Sequence, residues 1–146
     1  MMKKNIFSLQ KTLDLREFEK KQAEIDLGRA VARESEIQNT LNDVALCRAS
    51  AVKKADGMRE LRDLYEVNRY FNLLEQRKEQ LLKQLAEAKI VTEQKRAVMV
   101  KAMQKCKVLE QLKEKRTEAY KKELKKEFAK EADDIYLSNP LKNKNN

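Results

Sequence analysis

Apolar and small residues recur along this chain at intervals that alternate between four and three. From Ala23 the series reads Ala23, Leu27, Ala30, Glu34, Ile37, Leu41, Val44, Arg48, Ala51, Ala55, with Glu34 and Arg48 as charged interruptions. A stronger series follows: Leu64, Val67, Phe71, Leu74, Lys78, Leu81, Leu85, Ala88, Thr92, Lys95, Met99, Ala102, Cys106, Leu109, broken by Lys78, Thr92 and Lys95. This spacing puts each series in one stripe on a helix, the heptad pattern of a helix that buries its seam against another helix. Between the two series stands Asp56-Gly57. The chain holds only 2 glycines and 1 proline, and a glycine reaches the left-handed conformation that ends a helix without a Cβ clash. The pattern therefore predicts two long helices folded back on each other at Asp56-Gly57.

The expected bounds are a leader over 1–7, a first coiled-coil helix over 8–55, a turn over 56–58, a second coiled-coil helix over 59–136 and a disordered tail over 137–146. Ser8 is placed to cap the first helix, with Phe7 as a hydrophobic staple. Ser138-Asn139-Pro140 stops the second, because the residue before proline avoids the helical region. Upstream of Ala23, Leu9, Leu13 and Phe18 fit the phase less well. Beyond Leu109 the phase moves through Leu112, Tyr120, Leu124 and Phe128, a drift expected where a helix leaves a strict heptad partner. Gly28, in mid-helix, costs about 1 kcal/mol against alanine and reads as a close helix approach or a tolerated residue in preference to a hinge. Folding back at 56–57 makes paired residue numbers sum to roughly 113, sets Leu9 near Gln104, and leaves everything from about Lys105 to Tyr136 projecting roughly 45 Å past the first helix. The fold class is all-α: a long antiparallel two-helix coiled-coil hairpin with the second helix overhanging. Because one chain fills its own seam, the protein is expected to be monomeric alone. The alternative, one continuous helix paired with a second chain, needs Gly57 to stay helical.

Composition narrows the function. Charged residues make up 39% and aromatic residues 5%, too few large apolar groups for a compact core and enough for a seam. The net charge of +9 admits nucleic acid, an anionic membrane surface or an acidic protein as partner. Along most of the chain the two signs are interspersed, as on a solvated coiled-coil exterior. Residues 105–130 are the exception, with ten cations against five glutamates. Within them Lys122, Lys126 and Lys130 form one helical row, with Glu118 spaced to pair with Lys122 and Glu123 with Lys126. Base-reading helices offer Asn, Gln or Arg toward a groove; this segment offers lysine and glutamate, which favours a protein partner over nucleic acid. Tyr65, Tyr70, Phe71 and Leu74 follow the turn. Phe71 and Leu74 fall in the seam, and Tyr70 lies beside it, either as a contact anchor or packed sideways over the first helix.

Chemistry is excluded more firmly. The chain has no histidine, hence no side chain whose ordinary pKa suits proton transfer near neutrality and no imidazole metal ligand. Cys47 and Cys106 fall on different helices, many turns apart in the expected register, and are read as seam or near-seam residues. The glycines stand singly, so there is no phosphate-binding loop. The expectation is a non-enzyme with no cofactor, no metal and no small-molecule substrate. No stretch approaches the ~20 apolar residues that span a bilayer. The basic start, Met-Met-Lys-Lys-Asn-Ile-Phe-Ser, leads into no apolar signal region. A cytoplasmic protein is expected, and two cysteines fit a reducing compartment.

The opening run Phe7-Ser8-Leu9-Gln10-Lys11-Thr12-Leu13-Asp14-Leu15-Arg16-Glu17 resembles the start of the FliJ family of flagellar protein-export stalks, which shows a Phe-x-Leu-x-x-x-Leu-x-Leu-Arg run there. The segment from Tyr70 through Leu74 to Leu81 is similar to that family's central tyrosine/leucine region. Val108 to Arg116, followed by Glu127, Glu131, Asp133 and Asp134, is similar to its closing basic-to-acidic helix. The resemblance covers nearly the whole chain. It implies a coiled coil of the flagellar type III export apparatus, peripheral to the inner membrane at the flagellar base. The end bearing both termini would enter the hexameric export ATPase, the body would reach the membrane export gate, and export chaperones would be further partners. Carried over, the gate-facing residues are Tyr70, Leu74, Arg77 and Leu81, with Arg77 standing where a small or neutral residue is more usual. Lys122, Lys126 and Lys130 are the candidate surface toward the ATPase ring. A homologous stalk of a virulence secretion system or a rotary ATPase shares these features, and a basic nucleic-acid-binding coiled coil is the alternative from another class.

Overall fold

Long stretches without proline, carrying an apolar stripe at three-four spacing, give two helices: α1, Met2–Ala55, and α2, Leu61–Ser138. The computed structural model describes residues 2–138, without the side chains of residues 2–5 and 7. The Asn139-Pro140 stop and the tail from 139 onward lie outside the described residues, as does the side chain of the Phe7 staple. Among the described residues there is no strand, and the helices run antiparallel, so the all-α hairpin read from the pattern is the observed fold.

The ends differ from the expected ones. No glycine or proline precedes Ser8, and α1 starts at Met2. Ser8 is therefore an interior helical residue and not a cap: its carbonyl accepts a hydrogen bond from the Thr12 hydroxyl at 3.3 Å. At the other end the Asp56 N–H donates to the Val52 carbonyl at 3.2 Å and the Met58 N–H to the Ala55 carbonyl at 3.1 Å, which tightens the last turn. Gly57 follows with φ +89°, the left-handed position that ends a helix. Lys53 and Lys54 in the last turn of α1 and Asp63 in the first turn of α2 complement the two helix dipoles. The Leu64 N–H donates to the Glu60 carbonyl at 3.1 Å and opens α2. The connection thus runs through Arg59 and Glu60, two residues past the expected turn. Gly57→Ala, which forces a Cβ into that backbone, is expected to cost about 1–2 kcal/mol, measurable by denaturant unfolding.

The pairing falls into two stretches. In the stretch from 21 to 100, Ile37, Leu81, Leu85 and Ala88 form a buried core, with Leu41 and Val44 packed against it. Ala23, Ala30 and Thr92 are buried as well. Thr92 interrupts the apolar series but leaves no donor unpaired, because its hydroxyl donates to the Ala88 carbonyl at 3.0 Å, the back-bond that lets threonine sit in a helix interior. Of the seam positions read from the sequence in this stretch, Arg48, Leu64 and Lys78 are exposed, and the others are buried or half-buried. Arg48 faces both Phe71 and Glu75, so paired numbers sum to about 120, roughly two helical turns beyond the expected 113. The longer connection moves the centre of the fold-back toward α2.

Gly28 is exposed, and a Cβ built on it meets nothing within 4 Å. It is a tolerated residue and not a close approach. Gly28→Ala is expected to raise stability by about 0.5–1 kcal/mol, read as a higher midpoint of thermal unfolding.

In the second stretch, α1 up to Lys20 pairs with α2 from Lys101. Leu9, Leu13, Ala102 and Cys106 are buried, and Ile6, Arg16 and Lys20 are half-buried. The three-four alternation therefore continues upstream without a break, as Ile6, Leu9, Leu13, Arg16, Lys20, Ala23. Phe18 is outside it and 67% exposed. On α2 the half-buried positions run Leu109, Lys113, Thr117, Tyr120, Leu124, while Leu112 and Phe128 are exposed. An overhang from Lys105 is corrected by these positions: Cys106 is only 2% exposed. The earlier start of α1 and the shifted register carry the pairing about three and a half helical turns further, to about residue 118. Beyond that point α2 forms an overhang of roughly 30 Å up to Ser138, and residues 125–138 are exposed throughout.

Candidate functional site

Among the described residues no group of three His, Cys, Asp or Glu could hold a metal ion, and no helix is long and apolar enough to cross a membrane. The candidate sites are surfaces, and they fall at the two places where the seam stops being simple.

The first lies just past the turn. Seam position 48 carries arginine. Its long side chain leaves the core, stacks over the Phe71 ring at 5.6 Å and donates to the Glu75 carboxylate at 3.2 Å. A guanidinium over an aromatic face is attracted by the ring quadrupole, so Arg48 clasps α1 to α2 while exposed. Beside it stand Tyr70 and Cys47. Partial loss of solvent raises the Tyr70 phenol above its ordinary pKa, and the neighbouring Cys47 thiol adds to the rise. Tyr70 and Cys47 line an open groove of about 510 Å³ with Ala51, Lys54, Glu66 and Val67. The four residues expected to face a gate separate here. Tyr70 and Arg77 are exposed and Leu74 is half-buried, but Leu81 is 2% exposed within the core cluster. Leu81 supports this surface from beneath and offers none of its own. In the sequence pattern Arg48 is only a seam interruption; an arginine in register with an aromatic and a glutamate on the facing helix is the signal that identifies it.

The second surface is the overhang. Lys122, Lys126 and Lys130 are all exposed and share one face by their four-residue spacing. The expected Glu118–Lys122 and Glu123–Lys126 pairs do not form; ion pairs within helices among the described residues include Arg16–Glu19 at 3.0 Å, Arg33–Glu36 at 3.3 Å and Glu93–Arg96 at 3.4 Å. Exposed i,i+4 pairs are worth only about 0.3–0.5 kcal/mol, too little to hold two long side chains against solvent.

The cysteines are both free, with Cys47 exposed and Cys106 buried. Burial, first of all, pushes the Cys106 thiol up; Lys20 opposes this, and Glu110, Glu17 and Glu19 add to it. Because the thiolate is the nucleophile, alkylation of the native protein near pH 8 is expected to label Cys47 and to spare Cys106 until denaturant is added. Peptide mass mapping checks this.

No curated protein and no solved structure matches the chain. A family model described as Flagellar FliJ protein matches residues 4–145, nearly the whole length, including both helices and the opening run. That match, over a chain folded as an antiparallel helical hairpin, makes the chain a member of the FliJ family, a component related to flagellar protein export.

Proposed function

We propose that this protein is the non-enzymatic stalk of the flagellar type III export apparatus, a cytoplasmic protein that couples the hexameric export ATPase to the membrane export gate and assists export chaperones. The observation that carries the reading is the exposed lysine row near the free end of α2 in a FliJ-family hairpin. Lys122, Lys126 and Lys130 stand on helix that α1 does not cover, where an acidic ring could enclose them. Paired helices resist bending better than a single helix does, and that suits a protein that joins two partners. The gate-facing surface is Tyr70, Leu74 and Arg77, backed by Leu81. Nothing in this role requires catalysis, a cofactor or a metal.

The test is to mix the purified protein with the export ATPase at low salt. The ATPase is expected to co-purify with it and to shift toward hexamers; no association and no shift would refute the reading. Nucleic acid, favoured by the net +9, is the competing partner. DNA bound by counterion release would lose affinity steeply as salt rises, and absence of binding at about 50 mM salt excludes it.

A further inference from the structure

The seam face of α2 does not end where α1 ends. Leu109, Lys113, Thr117, Tyr120 and Leu124 are half-buried along it. The next apolar residues on that face are Phe128 and Ile135, four and eleven positions past Leu124, which keeps all three within roughly 40° around the helix. Phe128 is 67% and Ile135 68% exposed. The face is flanked by opposite charges. Glu127 and Glu131 border one side, and Lys121 and Lys125 the other. The Lys122, Lys126 and Lys130 row points roughly the opposite way, so this face is separate from the cationic one.

We infer that the apolar face from Leu124 to Ile135 is a docking surface for a helix of a partner protein, laid antiparallel on α2 as a continuation of the path of α1. Continuity with the intramolecular seam supplies the geometry, since the same stripe already accepts an antiparallel helix up to about residue 118. The flanks define the occupant: an apolar three-four repeat with acidic residues on the edge that meets Lys121 and Lys125, and basic residues on the edge that meets Glu127 and Glu131. A second copy of this chain fits poorly. Antiparallel, its flanks would set glutamate against glutamate and lysine against lysine. Parallel, it would bring a second α1 against the seam that this α1 already fills.

The probe is a fluorescent three-heptad synthetic helix with leucine at the inner positions, glutamate on one flank and lysine on the other, titrated into the full chain. The complementary peptide is expected to bind at least fivefold more tightly than one with its flanks exchanged. Phe128→Lys combined with Ile135→Lys should weaken it at least tenfold, with thermal unfolding unchanged because both residues are exposed. Val98→Lys, at an exposed position in the other stretch, should leave binding intact. No binding by the parent, or equal binding by the double variant, overturns the inference. So does a concentration-dependent dimer that the double variant abolishes, which would make the occupant a second copy. The assay contains no ATPase, so its outcome is independent of the stalk reading.

Discussion

Leu81→Ala is expected to destabilise the protein by about 2–4 kcal/mol, while Leu82→Ala costs under about 1 kcal/mol. The two leucines are neighbours in sequence and have the same volume. Leu81 is 2% exposed, in the cluster with Ile37, Leu85 and Ala88; Leu82 is 47% exposed. Truncating the first removes buried methyl groups and leaves a cavity between two helices held apart by their other seam residues. Truncating the second gives its space to water. Urea unfolding followed by circular dichroism measures both. Equal losses would mean that the seam is out of phase by one residue, which would also reassign Leu81 to a partner-facing surface.

Replacing Lys122, Lys126 and Lys130 together with glutamate is expected to reduce capture by the export ATPase at least tenfold and to move the unfolding midpoint by no more than about 2 °C. The three side chains are exposed, hold none of the observed ion pairs and support no seam, so folding gains little from them. Enclosed by an acidic surface they would speed and strengthen association, and the effect would fade as salt rises. Three new carboxylates also repel Glu118, Glu123 and Glu127 along the helix, by a few tenths of a kcal/mol per pair, and could fray the overhang. The matching glutamine variant separates the effects: it removes the charge without adding repulsion, and should weaken capture less than glutamate does but measurably. Unchanged capture by both variants would remove the ATPase from this surface.

The hairpin itself was legible from residue spacing, because an unbroken three-four series on each side of a lone Asp-Gly leaves the chain few other ways to bury its apolar stripe. The upstream seam was not. Arg16 and Lys20 occupy two consecutive slots, and an amphipathic side chain can lay its methylenes along a seam while its charge reaches water. A search for apolar residues alone passes over such slots and is drawn to Phe18, which faces out. The register was misplaced for a related reason: the centre of a fold-back depends on how many residues the connection consumes, and Arg59 and Glu60 look as helical as their neighbours. The misplaced register and the late expected start of α1 together stretched the expected overhang by about thirteen residues. The lysine row could be read from its four-residue spacing. The Arg48–Phe71–Glu75 clasp could not, because its members lie on different helices and meet only once the register is known.

The most direct test of the central claim is site-specific photocrosslinking within the assembled export apparatus, with one photoreactive residue at position 126 in the overhang and another at exposed Asn68 beside the turn. The account predicts that position 126 crosslinks to the ATPase, that position 68 does not, and that the first adduct disappears when the ATPase is omitted. Crosslinking to the ATPase from position 68 with none from 126 would contradict it.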